Sequence, residues 1–167
     1  MHRCVRAATS ADIAAMTALL LEHGPNEWNH LPCAAIGVHF GRIAEGEVEA
    51  LLMEIKGELV GLATFVVGEY PSGPVPRGFD SHVAFIAEVV VKRGYRGRGI
   101  ATTLLEQVNS LAVCRGVRTV YIDRHADNTA SARMMDKAGF RLLVRYPDPL
   151  RRPTGSRDTV VYVRYLS

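Results

Sequence analysis

The segment from Lys92 to Thr102 combines arginines with glycines and reads Lys-Arg-Gly-Tyr-Arg-Gly-Arg-Gly-Ile-Ala-Thr. Glycines let backbone amides approach a single point, and a helix that begins directly after them adds unpaired amides and the positive end of its dipole. Arg96 and Arg98 add charge-assisted contacts to phosphate oxygens. The segment therefore predicts a pyrophosphate site. The residues expected to form it are Arg96, Gly97, Arg98, Gly99, Ile100, Ala101 and Thr102.

Two nucleotide-binding loops are alternatives for this segment. A Walker loop needs a Gly-Lys-Ser/Thr triplet, and the chain has none, which argues against nucleoside-triphosphate chemistry. A dinucleotide loop, G-x-G-x-x-G, is matched in part by Gly97 and Gly99, with Thr102 in place of the third glycine. Asp123 then lies where a ribose-binding acid is expected. The remaining chain is too short for two mononucleotide halves, which disfavours this reading.

Glu88 is the single acid in an otherwise apolar run, Val83–Val91. Burial raises the proton affinity of a carboxyl group, and a position in a cleft allows it to accept a proton through water. Glu88 is therefore the candidate general base, or the group that positions an amine. The alternative is a strand carboxylate that pairs with a nearby arginine, and the sequence leaves both open.

Three motifs occur in a fixed order along the second half of the chain. They are Arg96-x-x-Gly99-x-Ala101, Asn128-Thr129-Ala130 and Lys137-Ala138-Gly139-Phe140. The first is similar to the acetyl-CoA signature R/Q-x-x-G-x-G/A of the GNAT superfamily of N-acetyltransferases, and the other two resemble that family's closing helix. The resemblance covers nearly the whole chain and implies acetyl-CoA as co-substrate, without a metal.

The resemblance also assigns positions to the co-substrate. It implies that backbone amides from Gly97 to Thr102 hold the pyrophosphate and that the pantetheine arm pairs with the backbone of Val89, Val90 and Val91. Asn128 is expected to bind the arm from the opposite side, although a helix-capping role is equally compatible with its position. An acetyl group would then pass directly to a primary amine, on a small molecule or a peptide, with no covalent enzyme intermediate.

Met135 marks a departure from the family, which usually has a tyrosine at this position to protonate the departing thiolate. A thiol titrates near ~8.5, so its anion is a tolerable leaving group and turnover need not be lost. Tyr95, Tyr121 and Tyr146 are candidate substitutes, and the sequence selects none of them. Met135 also supports an alternative function, a non-catalytic protein that binds or senses acyl-CoA.

The elements that must position these residues follow from periodicity and turn signals. A helix near Ile13–Gly24 and a second, shorter helix within Ala34–Ala44 precede a hairpin around Lys56-Gly57. Val83–Val91, a helix over Ile100–Val113 and a strand over Val117–Ile122 form a parallel βαβ crossover. A helix capped at Asn128 or Thr129 and two late strands follow. We predict a GNAT-like α/β fold whose mixed, mostly antiparallel sheet has six to seven strands, about four helices and one parallel crossover.

The composition fits one domain over residues 1–167, since 48% of residues are apolar and 22% are charged. The net charge of +3 does not indicate nucleic-acid binding, and no apolar run is long enough for a membrane span. Three dispersed cysteines and an N-terminus without a signal-peptide pattern predict a cytoplasmic protein. A homodimer is implied only by the resemblance. The acceptor pocket is expected from residues 26–45, 68–81 and 147–157, which do not reveal the amine.

Overall fold

A computed structural model describes residues 2–29, 31–77 and 82–166. Its strands are β1 (Arg3–Ala7), β2 (Glu49–Ile55), β3 (Glu58–Val67), β4 (Val83–Val91), β5 (Thr119–His125), β6 (Arg141–Pro147) and β7 (Asp158–Tyr165). Its α-helices are α1 (Ile13–His23), α2 (Cys33–Ala44), α3 (Ile100–Cys114) and α4 (Thr129–Lys137).

The strands form one seven-stranded sheet in the order β1-β2-β3-β4-β5-β7-β6. The hairpin between β2 and β3 turns at Lys56 and Gly57, whose φ angles are 52° and 78°, as a tight hairpin turn requires. β4 and β5 are parallel and are joined through α3, whereas the other neighbouring strands pair antiparallel. The predicted fold class is confirmed, including the single parallel crossover.

The sheet opens between its two parallel strands. β4 pairs with β5 only from Val83–Ile86 to Thr119–Ile122. Opposite, on β3, Phe65 pairs with Ile86 and Thr64 pairs with Glu88, so Ala87 is an extra residue in a β-bulge. A bulge bends a strand and increases its local twist. The end of β4 therefore diverges from β5, and a cleft opens beyond Ile86.

Helices cover both faces of the sheet. α1 and α2 pack on one face through a cluster that includes Met16, Leu20 and Phe40, while α3 and α4 pack on the other. Gly61 of β3 permits the close approach of α3, because a Cβ atom there would lie 3.0 Å from the Ile100 side chain. α3 thus lies tightly against the centre of the sheet, with its first residue beside the end of β4.

Several predicted boundaries differ from the structure. β5 runs Thr119–His125 rather than Val117–Ile122, because the backbone of Arg118 and Thr119 bonds to His82 and Val117 still closes the end of α3. α2 is not shorter than α1, since Gly37 and Gly41 meet no neighbouring atoms and are tolerated in the helix. In the predicted 68–81 loop, residues 78–81 lie outside the described residues. No helix in the described part of the chain is long and apolar enough to cross a membrane.

Candidate functional site

A cavity of about 370 Å³ lies where β4 ends and α3 begins. Its walls come from β4, the β4–α3 loop, the first turn of α3, the end of α1 and the exposed side of α4. The predicted cofactor residues that line it are Val89, Val90, Val91, Arg96, Gly97, Gly99, Ile100, Ala101, Thr102 and Asn128. The structure thus brings together every predicted cofactor residue except Arg98 at one cavity.

Gly97 and Gly99 have the left-handed backbone conformation, with φ angles of 78° and 75°. Gly99 is the residue directly before α3, and no atom outside its immediate neighbours lies within 4 Å of the place where its Cβ would be. The amides of the first turn of a helix have no intrahelical acceptor. The loop therefore offers open space and unpaired donors together, which suits an anionic group.

Arg96 and Arg98 differ in their contacts. The Arg96 guanidinium donates to the carbonyl of His23, at 2.6 Å, and to the carbonyl of Val91, at 3.3 Å. It therefore ties the end of α1 to the loop while lining the cavity. Arg98 lies over the ring of Tyr95, 5.0 Å from its centroid, and is exposed outside the cavity lining. A direct phosphate contact from Arg98 requires it to leave this ring.

β4 has a free edge beyond Ile86. Val89, Val90 and Val91 pair with β3 along one edge, and pairing with β5 on the other edge ends at Ile86. The Lys92 amide donates to Val60 on β3, whereas the Val91 carbonyl accepts from Arg96 on the open side, so alternation along the strand places the backbone groups of Val89 and Val91 on the free edge. The Val91 carbonyl is occupied, and the groups of Val89 are free to pair with an extended amide-bearing ligand.

Three cationic or polar side chains that line this cavity were not predicted from the sequence as site residues. His23 is buried, and its Nδ1 accepts the amide of Arg93 at 3.2 Å. Arg133 and Lys137 line the cavity from α4 and are exposed. Their i, i+4 spacing, which places them on one helix face, was the signal available in the sequence.

Asn128 caps α4, as one of its two predicted roles required. Its side-chain oxygen accepts the amide of Ser131 at 3.1 Å, which satisfies an otherwise unpaired donor of the first turn. The residue also lines both this cavity and a second one. The cap is therefore observed, and its remaining amide donor stays available for the predicted ligand contact.

The second cavity, of about 390 Å³, adjoins the first and contains Glu88. It lies between the diverging ends of β4 and β5, below α2 and the β6–β7 loop. The two cavities share part of their walls, namely Asn29, Val89, Asn128, Ser131 and Met134. A ligand in the first cavity can therefore present one end to a ligand in the second.

Burial raises the pKa of Glu88 to about 7, and the charge of Asp123 adds to this rise. The guanidinium groups of Arg151 and Arg152 act in the opposite direction and are outweighed. Among the described residues the Glu88 carboxyl group has no hydrogen-bond or ion-pair partner. The structural alternative, a strand carboxylate paired with an arginine, is not what this arrangement shows.

Asp123 carries the ion pairs instead. Two guanidinium nitrogens of Arg151 donate to the two carboxylate oxygens of Asp123, at 2.9 and 3.2 Å. A guanidinium nitrogen of Arg152 lies 3.3 Å from one of the same oxygens. Arg152 is only 7% exposed and donates to Thr159 at 2.9 Å. Arg152 is therefore not part of a solvated basic face, because the β6–β7 loop folds inward over β5.

His125 fixes the opposite wall of the second cavity. Its Nδ1 accepts the amide of Asp127 at 3.0 Å, so its Nε2 donates to the carbonyl of Thr154 at 2.7 Å. The ring of Trp28 packs on it with centroids 4.8 Å apart. Gly155 makes this junction possible, since a Cβ there would lie 2.6 Å from the Trp28 ring. The packing of Trp28 against His125 and Gly155 was not predicted from the sequence.

The position of the usual tyrosine is filled by Met135, which is buried and lines the second cavity. Tyr95 lines the first cavity, but its hydroxyl donates to Glu58 at 2.8 Å. Tyr121 and Tyr146 belong to a separate apolar cluster and line neither cavity. None of the three candidate tyrosines therefore presents a free hydroxyl where the cavities meet.

His39 of α2 is a further site residue that was not predicted from the sequence. It lines the second cavity, and its Nε2 bonds the hydroxyl of Thr64 at 2.8 Å, directly opposite Glu88 on the neighbouring strand. Burial, with a smaller effect from Arg42, lowers its pKa. This shift favours the uncharged form of His39. Within the described ranges, no group of three or more side chains is arranged to hold a metal ion.

Comparisons with known proteins agree with this architecture. The sequence model described as "Acetyltransferase (GNAT) family" matches residues 13–140. No curated protein sequence matches the chain. An N-acetyltransferase from Staphylococcus aureus Mu50 is 20% identical, with a TM-score of 0.77 and full coverage of both chains.

Two further solved structures have the same fold. A ribosomal-protein-alanine N-acetyltransferase from Brucella melitensis is 24% identical, with a TM-score of 0.74 over 98% of this chain and 99% of that one. The aminoglycoside acetyltransferase AAC(6')-Ib, solved with coenzyme A, is 21% identical, with a TM-score of 0.74 over 98% and 95%. At these identities the likeness establishes the fold.

Proposed function

The chain belongs to the acetyltransferase (GNAT) family, and we propose that it transfers the acetyl group of acetyl-CoA to a primary amine held beside Glu88. The predicted enzyme class, an acetyl-CoA-dependent acetyltransferase, is confirmed by this membership. The acceptor and the roles of individual residues are our proposals. The observation that carries them is the junction of the two cavities at Val89 and Asn128, next to Glu88.

The first cavity suits acetyl-CoA in chemistry and shape. The left-handed Gly97 and Gly99 and the first turn of α3 supply amide donors for the pyrophosphate. Arg133 and Lys137 supply positive charge on the facing wall. The free edge of β4 at Val89 supplies backbone groups for the amides of the pantetheine arm.

Glu88 is proposed to accept the proton that the amine must lose. Its pKa of about 7 leaves a substantial fraction ionised at neutral pH and still gives a base of useful strength. Bound acetyl-CoA supplies the acyl thioester. Glu88 takes one proton from the ammonium form of the acceptor, directly or through one water. The neutral nitrogen then bonds to the acyl carbon as the carbon–sulfur bond breaks, and the second nitrogen proton ends on the departing thiolate, which leaves as coenzyme A thiol. The departing thiolate needs no strong acid, because thiols titrate near ~8.5.

Calorimetric titration with acetyl-CoA, NAD and NADP tests the binding half of this proposal. We expect acetyl-CoA to bind and the two dinucleotides not to bind. Gly99→Asp should abolish binding, because it puts a negative charge and a strained left-handed residue at the phosphate site. Gly94→Asp is the matched control, since Gly94 lies in the same loop, has open space and lacks a positive φ.

Release of coenzyme A thiol in the presence of amines tests the catalytic half. Amine-dependent release by the wild-type chain supports a transferase. Tight acetyl-CoA binding without release for any amine would favour the sensing protein instead. Preference for a dinucleotide would show that the glycine loop has been misinterpreted.

A further inference from the structure

The charges and walls of the Glu88 cavity restrict the acceptor, and we infer that it is a small primary amine with a single positive charge on an apolar body. The inference rests on the proposed function and adds the chemical class of the acceptor. It separates this chain from enzymes that act on polycationic sugars or on polar peptide termini.

The carboxylates of the cavity offer one place for a cation. Two acids line it, Glu88 and Asp123. Asp123 is already bound by Arg151 and Arg152, and its side chain is 8% exposed. Glu88 is therefore the lining carboxylate that has no ion-pair partner among the described residues. A second ammonium group on the acceptor finds no carboxylate that is free to bind it.

Cations of the protein also disfavour a polycationic acceptor. Arg151 and Arg152 are joined in the lining by Arg124, whose guanidinium donates to the carbonyls of His125 and Ala126 and to the Tyr162 hydroxyl. None of these Arg124 partners carries a negative charge. The wall thus holds three guanidinium groups and two carboxylates, and Asp148 contacts Arg151 at 3.5 Å from outside the wall, so no unpaired negative charge besides Glu88 is left among the described wall residues to attract a further cation of the acceptor.

Apolar side chains form part of the remaining wall, beside the polar Asn29, His39, Asn128 and Ser131. Leu31 and Pro32 border one side, Ile36 and Met135 lie deeper, and Leu150 stands at the rim. Leu150 is 97% exposed, so an apolar acceptor body that covers it removes hydrocarbon from water. The volume of about 390 Å³ lies near the lower end for small-molecule sites, which favours a compact acceptor.

Binding to the complex with coenzyme A measures acceptor preference without relying on turnover. We would saturate the protein with coenzyme A and titrate 2-phenylethylamine, kanamycin and a tetrapeptide with an N-terminal alanine. We expect 2-phenylethylamine to bind at least about tenfold more tightly than the other two. Tighter binding of kanamycin or the peptide, or no binding of 2-phenylethylamine to a complex that does form, would overturn the inference.

Leu150→Glu tests the rim directly, and the near-complete exposure of Leu150 means that folding should be unaffected. It should weaken the binding of 2-phenylethylamine by about fivefold to tenfold, through loss of apolar contact. The difference between the affinities for 2-phenylethylamine and for kanamycin should therefore become smaller. Leu142→Glu is the matched control, because Leu142 is 56% exposed on β6 and does not line either cavity. Equal effects of the two substitutions would contradict the assignment of Leu150 to the acceptor site.

Failure of this inference and failure of the proposed function give different results. If coenzyme A does not bind at all, the proposed function fails. If coenzyme A binds and the amine order is reversed, only the class of acceptor is wrong.

Discussion

The environment of Glu88 depends on a single extra residue in its strand. The bulge at Ala87 directs the end of β4 away from β5, and the Glu88 carboxyl group then lies in a cleft without a charged partner among the described residues. A carboxyl group in this situation holds its proton more strongly than it does in water, and it returns that proton at neutral pH. The position is therefore suited to proton transfer more than to holding the fold together.

Glu88→Gln should lower kcat/KM for the acceptor amine by about a hundredfold or more, because the isosteric amide cannot accept a proton. Acetyl-CoA affinity should change little, since Glu88 lines the neighbouring cavity. Steady-state kinetics and calorimetry on the same preparation check both expectations. An unchanged kcat/KM would leave Glu88 without a catalytic role.

Arg151→Met should move the pH dependence of kcat/KM upward. The raised pKa of Glu88 means that activity increases with pH as the carboxyl group ionises near pH 7. Arg151 favours the ionised form, and its loss also leaves Asp123 more strongly negative. The rising limb should therefore shift by about half a pH unit to higher pH.

The matched variant for this shift is Arg145→Met, because Arg145 bonds Asp158 and does not line the Glu88 cavity. Its pH profile should follow that of the wild type. A shift to lower pH in Arg151→Met would show that Arg151 does not act on Glu88 through its charge.

At the scale of elements, the β4–α3 loop depends on backbone conformation more than on side chains. Gly99→Ala should cost about 1–2 kcal/mol of stability, because it forces an alanine into the left-handed region without any steric clash. Acetyl-CoA binding should weaken in parallel if the loop relaxes. Thermal unfolding with and without acetyl-CoA measures both effects, and Gly94→Ala in the same loop should cause neither.

α4 supplies a second cationic wall that faces this loop. Replacing Arg133 and Lys137 by Gln should lower the affinity for coenzyme A by about tenfold, since each charge contributes a modest, salt-screened attraction to the phosphates. Calorimetry at low and high salt should show the difference shrinking as salt is added. Arg3→Gln on β1, at the far edge of the sheet, removes a charge without touching either cavity and should leave affinity unchanged.

The sequence predicted what is encoded locally. The glycine loop, its helix and the strand before it lie within one short stretch, and strand β4 was predicted with its observed limits, Val83–Val91. Contacts between distant segments were not predictable. Arg96 meets the carbonyl of His23, 73 residues away, and Arg151 meets Asp123, 28 residues away. No periodicity or motif carries such pairings, because they arise only once the sheet has folded.

At the scale of the whole molecule, Asn109 is a weak point of the core. It is 4% exposed on α3, and neither its amide nitrogen nor its oxygen has a hydrogen-bond partner in the part of the chain that the structure describes. A buried unsatisfied polar group costs about 1–3 kcal/mol. Asn109→Leu keeps the branching at Cγ and removes both unsatisfied groups, so it should raise the unfolding temperature by several degrees in a calorimetric scan. A lower unfolding temperature would mean that the amide has a partner in solution, such as a buried water.

The first part of the connection between α1 and α2, residues 24–29, contributes to the walls of both cavities. Gly24, Asn26 and Asn29 face the first, and Trp28 and Asn29 face the second. Thr154 anchors this connection by donating to the carbonyl of Glu27 at 2.9 Å.

Thermodynamics places a condition on any movement of this shared wall. Suppose that acetyl-CoA in the first cavity tightens the connection and raises the affinity of the second cavity for the amine. The amine must then raise the affinity of the first cavity for acetyl-CoA by the same factor. The ratio of acetyl-CoA affinities with and without amine must therefore equal the ratio of amine affinities with and without acetyl-CoA. Residues 24–29 would in that case couple the binding of one substrate to the binding of the other.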